Sequence, residues 1–249
     1  MILLLGGTKD SRIIAERLID CSLKTLITTT TDYGASLLPK HPLLFKKVGK
    51  YNQADLIQLL DDYSVDLVID ATHPYAEEIS KNIIEVSQSI NIDLYRYERP
   101  RKKSIYAKYF DSYEQMIEIL KEKNGNILLT IGSKDLSDWS KPLDINRLII
   151  RVLPMISILK KCDALGFSPN QIIAIQGPFS KAFNKILIKD YKIKYLISKD
   201  TGAIGGLNHK ISATLDSNIQ CFIKKRPNLF YANKFSTLES LISKVKAFK

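Results

Sequence analysis

The sequence predicts an α/β chain in two halves, each a mainly parallel sheet with helices on both faces. Short apolar runs alternate with stretches whose apolar residues recur at helical spacing, as strands buried on both faces between amphipathic helices require. That alternation runs once through residues 1–100 and again through 101–249, and repeated βα units give parallel sheets. Several strands also end in glycine turns, at Gly6-Gly7, Gly132 and Gly177.

The first strand is Ile2-Leu3-Leu4-Leu5, closed by Gly6-Gly7-Thr8 before the helical spacing of Ile14 and Leu18. Glycines let backbone N–H groups approach a ligand, and a helix start favours an anion such as a dinucleotide pyrophosphate. The full G-x-G-x-x-G fingerprint is absent because Lys9, Asp10 and Ser11 follow, so a plain tight connection stays open beside a nucleotide turn. Residues 26–29 form the second strand and run into Thr28-Thr29-Thr30-Thr31 and Asp32. An acid at this strand end would hold ribose hydroxyls. Threonines such as Thr30 accept a 2′-phosphate without repulsion, which favours NADP(H), while Asp32 keeps NAD(H) open.

Pro39 and Pro42 bracket a loop, and 43–48 is a third strand. Asn52 caps a helix with Leu56, Leu59, Leu60 and Tyr63 on one face. The fourth strand, 66–70, ends in Asp70-Ala71-Thr72-His73-Pro74-Tyr75, ahead of a helix carrying Ala76, Ile79, Ile83, Val86 and Ile90. A fifth strand spans 93–97, and the polar stretch 98–103 reads as an interdomain linker. The second half offers strands at 127–131, 148–152, 172–175, 195–198 and 220–223, with helices at 112–121, 156–161 and 179–189. The capping box Ser236-Thr237-Leu238-Glu239 announces a last helix. That helix either closes the second half or packs back on the first.

With 37 Lys+Arg against 26 Asp+Glu the net charge is +11, which favours anionic partners. Cys21, Cys162 and Cys221 form no C-x-x-C pair, which speaks against a disulfide framework or zinc ribbon and for a cytoplasmic protein. The start has no basic leader region, and no apolar run approaches the ~20 residues of a membrane span. The absence of a P-loop, a serine elbow and H-E-x-x-H disfavours covalent hydrolysis and metal catalysis. Lack of an RNP-type aromatic motif or a basic helix disfavours nucleic acid.

In a sheet of order 3-2-1-4-5 the first and fourth strands are neighbours, which places residues 6–12 and 70–75 on facing walls of one crevice. His73 there is either a general acid or a ring that orders the turn before Pro74. Gln176-Gly177-Pro178-Phe179 and Ser198-Lys199-Asp200-Thr201-Gly202-Ala203-Ile204-Gly205-Gly206 are further strand-end turns able to wrap phosphates or a substrate edge. Lys199, Lys210, Arg96 and Arg99 are carboxylate partners or surface charges. Thr8-Lys9-Asp10 after the first strand also echoes Ser133-Lys134-Asp135 and Ser198-Lys199-Asp200, a suggestive internal repeat.

Taken together, these turns resemble the precorrin-6A reductase family of corrin (vitamin B12) biosynthesis over nearly the whole chain. The carrying residues are Leu5-Gly6-Gly7-Thr8 with Arg12, Asp70-Ala71-Thr72-His73-Pro74-Tyr75-Ala76, Arg96-Tyr97-Glu98-Arg99-Pro100, Leu129-Thr130-Ile131-Gly132, Arg151-Val152, Gln176-Gly177-Pro178-Phe179 and Ser198-Lys199-Asp200-Thr201-Gly202. Family members often carry an acid or glycine where Lys9 stands here.

The resemblance implies two Rossmann-like domains, 1–100 and 101–249, with the active-site cleft between them. It implies an oxidoreductase acting on a CH–CH bond: NADPH or NADH passes a hydride to one ring double bond of cobalt-precorrin-6A, giving cobalt-precorrin-6B, or of metal-free precorrin-6A. The Lys-, Ile- and Asn-rich composition favours the cobalt substrate, with the cobalt arriving inside it and no protein metal site. For the cofactor it implies Gly6, Gly7, Thr8, Ser11, Arg12, Thr30, Thr72, Gly132 and Ser133. For the polycarboxylate tetrapyrrole it implies Tyr75, Arg96, Gln176, Gly177, Pro178, Phe179, Ser198, Lys199, Asp200, Thr201, Gly202 and Lys210, with His73 and Lys199 as catalytic candidates. Transient contacts with neighbouring pathway enzymes stay open. The other reading is a nucleotide-sensing protein that uses the same crevice without turnover.

Overall fold

Residues 1–100, 103–202 and 205–248 are described by the computed structural model. They divide into two units, Met1–Pro100 with Pro227–Lys249, and Arg101–Arg226. Arg101 and Lys102 of the expected linker, and Ala203 and Ile204 of the glycine-rich stretch, lie outside the described residues.

The first unit runs β1 (Ile2–Leu5), α1 (Lys9–Asp20), β2 (Thr25–Thr29), α2 (Asp32–Ser36), β3 (Leu44–Val48), α3 (Gln53–Asp62), β4 (Leu67–Asp70), α4 (Glu77–Ser89) and β5 (Asp93–Tyr97). The second runs β6 (Lys108–Phe110), α5 (Tyr113–Lys121), β7 (Asn126–Thr130), α6 (Ser137–Ser140), β8 (Leu148–Val152), α7 (Ile156–Ala164), β9 (Ile172–Ala174), α8 (Lys181–Asp190), β10 (Ile193–Lys199), α9 (Leu207–Asp216) and β11 (Gln220–Lys224). The chain then returns to the first unit with β12 (Asn233–Phe235) and α10 (Leu238–Ala247).

The sheets have orders β12-β5-β4-β1-β2-β3 and β6-β11-β10-β7-β8-β9, and their pairings are parallel. Both contain the winding 3-2-1-4-5, counted from β1 in one and β7 in the other, with one further strand beyond the fifth. Each therefore has its switch point between its first and fourth strands, β1 with β4 and β7 with β10.

Alternation along each strand sends side chains to two cores. Ile2 and Leu4 pack with Ile14 and Leu18 of α1 and Leu241 and Val245 of α10, whereas Leu3 and Leu5 pack with Leu56 and Leu60 of α3 and Ile83 of α4. In the second unit Ile127 and Leu129 meet Met116, Leu120 and Trp139, while Leu128, Ile149 and Leu196 meet Leu187 of α8 and Ile211 of α9.

Two expectations need correction. The second unit ends at Arg226 instead of residue 249, because β12 adds to the free edge of β5 in the register Asn233↔Tyr95 to Phe235↔Tyr97. The apolar face of α10 then buries in the first unit's core. The cap of that last helix is Thr237, whose hydroxyl accepts from Ser240 N–H at 3.2 Å, not Ser236 with Glu239. A helix at 207–216 was also unread between the glycines and the strand at 220.

Candidate functional site

At the end of β1, Gly6 N–H donates to Thr28 O at 3.0 Å, and a Cβ added at Gly6 would stand 2.8 Å from that same oxygen. Gly7 has φ +99° with nothing within 4 Å of a built Cβ, so its backbone faces open space in a conformation suited to glycine. Thr8 then caps α1. Its hydroxyl accepts from Ser11 N–H at 3.0 Å and donates to Ala71 O at 2.9 Å, while Ser11 Oγ accepts from Thr8 N–H at 3.1 Å and donates to Thr8 O at 2.8 Å. Thr8 and Ser11 are thus committed to holding the turn, and the groups left for an anion are the first amides of α1. A pocket of about 90 Å³ opens there, lined by Gly7, Thr8, Lys9, Ser11, Arg12, Thr29, Gly34, Leu37 and Leu38. Thr29 lines it and Thr30 does not: Thr30 is exposed, and Thr29 Oγ1 donates to Thr31 O at 3.1 Å. Gly6→Ala should destabilise the chain by ~1–3 kcal/mol in urea unfolding, because the clash is with backbone, and should weaken nucleotide binding in the same sample.

Beside β1, the end of β4 buries a charge. Asp70 is 0% exposed. Its Oδ1 accepts from Thr72 N–H at 2.9 Å, Thr72 Oγ1 at 2.6 Å and Arg96 Nη1 at 2.8 Å, and its Oδ2 accepts from Ser80 Oγ at 2.8 Å and Tyr231 OH at 2.6 Å. Burial raises the carboxyl's pKa, but the Arg96 charge and these hydrogen bonds outweigh it and hold it below its ordinary value. Burial and the Asp70 charge push the Tyr231 hydroxyl up. Arg96 is itself 3% exposed, so the expectation that it meets a substrate carboxylate does not fit: its partner is Asp70. Thr72 is likewise occupied, and α4 starts five residues later at Glu77 with no side-chain cap. Arg99 is paired with Asp10 at 2.6 Å. His73 is exposed, its Nδ1 accepts from Tyr75 N–H at 3.3 Å, and its ring lies 5.6 Å from that of half-buried Tyr75, the turn-ordering geometry.

The second unit presents cations at the matching edge. Lys199 Nζ lies 2.8 Å from Asp135 Oδ2, which also accepts from Tyr113 OH at 3.2 Å. Burial raises the Asp135 pKa, but Lys199 and Tyr113 together bring it below its ordinary value. Lys199 is thereby held by an acid, which weakens its reading as a catalytic group. Asp200 is buried against Arg226, with 3.6 Å between Oδ1 and Nη2, and so is a structural acid. Gly132 follows β7 at φ +82° with open space around it, and Ser133 is half-buried. Thr201 Oγ1 is buried with no hydrogen-bond partner among the described residues. Gly202 has φ +69° beside the Arg226 guanidinium. Gly177 packs against the Phe179 ring, and the bond to Pro178 is cis; Gln176 adjoins this turn. Phe179 stacks on Phe183 with centroids 4.8 Å apart. The Arg151 guanidinium lies 4.3 Å from the Phe179 centroid. Lys210 Nζ donates to Ser198 Oγ at 2.9 Å, and both residues are buried.

The family model described as Precorrin-6x reductase CbiJ/CobK matches residues 1–246. The chain belongs to the precorrin-6x reductase family. A protein named Cobalt-precorrin-6A reductase from Priestia megaterium is 34% identical over 97% of this chain and 96% of its own. Another of that name from Methanocaldococcus jannaschii is 35% identical over 100% and 99%. A solved structure titled CobK precorrin-6A reductase aligns at TM-score 0.79 and 21% identity over 99% of this chain and 96% of that one, which is a likeness of fold.

For this precorrin-6x reductase chain, sequence reasoning passed over Ser80, Asn184 and Tyr231, and quoted Arg151 without a role. Two signals were present. Arg151 interrupts the apolar run Leu148-Ile149-Ile150 near the end of a central strand, and Lys210 falls on the buried stripe of Leu207, Ile211 and Thr214. A cation on an apolar stripe is rare unless it is paired or functional. Tyr231 lies in an irregular segment before β12 and carried no pattern to read.

Proposed function

We propose that this chain reduces one ring double bond of cobalt-precorrin-6A with NADPH. The carrying observation is the β1–α1 turn, where Gly7, the first amides of α1, Lys9 and Arg12 meet one pocket in a chain that matches a reductase family over 1–246. The open backbone at Gly7 suits a pyrophosphate at the helix start. Lys9 and Arg12 favour an additional phosphate on the ribose, and the pocket lining contains no acid that would repel it, hence NADPH over NADH.

The nucleotide, when bound, supplies the hydride. The chain's residues bind and orient: the turn grips the phosphates, Thr8 and Ser11 hold it rigid, and Asp70 with Arg96 and Tyr231 fixes the end of β4. A proton completes the reduction. We assign that proton to His73 acting as an imidazolium: in the neutral form its Nδ1 accepts from the Tyr75 amide, and a proton taken up from solvent makes the ring an acid that returns to neutral imidazole on donation. The tetrapyrrole's carboxylates suit the basic excess of the chain. The names of the two relatives at 34% and 35% identity support the cobalt substrate. Among the described residues no helix is long and apolar enough to cross a membrane, and we place the reaction in the cytoplasm.

Anaerobic incubation with enzymatically prepared cobalt-precorrin-6A tests this. NADPH absorbance should fall, and faster than that of NADH. Unchanged absorbance with both nucleotides would overturn the reductase reading. Saturation with NADPH at 100 times its dissociation constant should add about 2.7 kcal/mol to unfolding, more than NADH at the same concentration. That stabilisation without turnover is the behaviour of a nucleotide sensor.

A further inference from the structure

The two switch points are built alike and charged oppositely. In the first unit Leu5, at the end of β1, stands in register with Asp70 on β4. In the second Thr130, at the end of β7, stands in register with Ser198 on β10. The fourth residue of the following helix reaches back in both: Ser80 of α4 donates to Asp70, and Lys210 of α9 donates to Ser198. The first unit thus supplies its own carboxylate, surrounded by donors. At that place the second unit has a hydroxyl, and its donors are left over.

The register sharpens the contrast. On the α8–α9 face, Ile149, Leu128, Leu196 and Cys221 form one apolar row across the sheet. Two residues onward on the same strands, toward their carboxyl ends, the row reads Arg151, Thr130 and Ser198, with apolar Ile223 on β11. Arg151 is 8% and Lys210 6% exposed. Among the described residues Arg151 Nη1 donates to Asn184 Oδ1 at 2.9 Å, with Asn184 Nδ2 turned to Ser180 O at 2.7 Å, and Lys210 donates to Ser198 alone. Among the described residues neither one is ion-paired to a carboxylate, and the charged or titratable groups acting on Lys210 are Arg151 from β8 and the Cys221 thiol from β11. Two buried cations that act on one another without an acid are unfavourable, and such groups at a strand-end edge are candidates for a binding site. The carboxyl end of strands at a switch point is where ligands enter an open α/β sheet.

We propose that Arg151 and Lys210 form an anion site that receives an oxyanion of the ligand, a carboxylate of the tetrapyrrole or a phosphate of the nucleotide. Thr130 and Ser198 line the same edge, and Phe179 holds the guanidinium plane. The assignment of the ligand rests on the reductase reading above.

Lys210→Met, Arg151→Gln and Arg151→Lys test it, each compared with the wild type for unliganded thermal stability and for KM toward cobalt-precorrin-6A and NADPH. Lys210→Met should fold with unchanged or higher unliganded stability and raise one KM at least about tenfold, a loss near 1.4 kcal/mol of binding. Arg151→Gln should raise the same KM, and Arg151→Lys should restore most of it. A rise confined to the tetrapyrrole assigns the carboxylate, and one confined to NADPH assigns the phosphate. Lower stability with both KM values unchanged would make the pair structural and overturn the site. If the wild type shows no turnover, the reductase reading fails and the site is read with citrate and inorganic phosphate: either should stabilise the wild type more than Lys210→Met, and equal stabilisation of the two proteins by both would overturn it.

Discussion

Arg96→Met should destabilise the chain by about 3 to 5 kcal/mol, read by urea unfolding at neutral pH. Asp70 has no exposed surface, and Arg96 is the cation that answers its charge at 2.8 Å. Removing the cation leaves a buried carboxylate with hydrogen bonds alone, in a place where burial raises its pKa. The pH dependence gives the sign. In the wild type the carboxyl sits below its ordinary value, so its contribution is full above the unfolded pKa of about 3.9 and fades as pH falls through the lower folded value. In Arg96→Met the folded pKa rises above the unfolded one, and protonation then favours the folded chain. The gap between variant and wild type should therefore narrow as pH falls from 7 toward 4. Pairing Arg96→Met with Asp70→Asn should recover part of the loss, because the amide needs no counter-ion. A loss below about 1 kcal/mol, the range of an exposed pair, would contradict this account.

What could be read in advance follows from what makes a pattern. Central strands such as Leu67–Asp70 and Leu148–Val152 are buried on both faces, and their apolar runs Leu67-Val68-Ile69 and Leu148-Ile149-Ile150 declare themselves by composition. The three-residue strands Lys108–Phe110 and Asn233–Phe235 sit on sheet edges with partly exposed side chains, so nothing in their residues separates them from loop. The return of the last segment to the first unit is a contact between residues far apart in sequence, invisible to periodicity. The same limit held at the site. Glycines and hydroxyls at strand ends were legible as turns, but Thr8, Ser11 and Thr72 spend their hydroxyls on neighbouring groups. Arg96 spends its charge on Asp70 across one strand spacing. Which polar groups remain for a ligand is decided by such pairings, and pairings need coordinates.

The same reasoning makes Lys210 a source of instability in the unliganded chain, with a definite pH signature. Burial, with the Arg151 charge next, lowers its pKa to about 7 from an ordinary value of 10.5. The unfolded chain therefore holds a proton on this lysine between those values that the folded chain has released. Stability should rise with pH where the unfolded state binds more protons, so the wild type gains from about pH 7 toward pH 10, and below pH 7 it carries the whole penalty of a charged, buried ammonium. At about 1.4 kcal/mol per pKa unit, that penalty is on the order of a few kcal/mol. Lys210→Met removes the titrating group and keeps most of the volume. The variant should exceed the wild type most at pH 6 and converge on it near pH 10, a difference measured by urea unfolding of the two proteins across that range. A bound oxyanion acts in the opposite direction. It favours the ammonium and so draws a proton from solution near pH 8, where the unliganded lysine is mostly neutral, and calorimetry in buffers of different ionisation enthalpy would register that uptake in the wild type and lose it in Lys210→Met. A wild-type stability that stays flat or falls relative to Lys210→Met between pH 7 and 10 would mean that an acid already answers this lysine in solution.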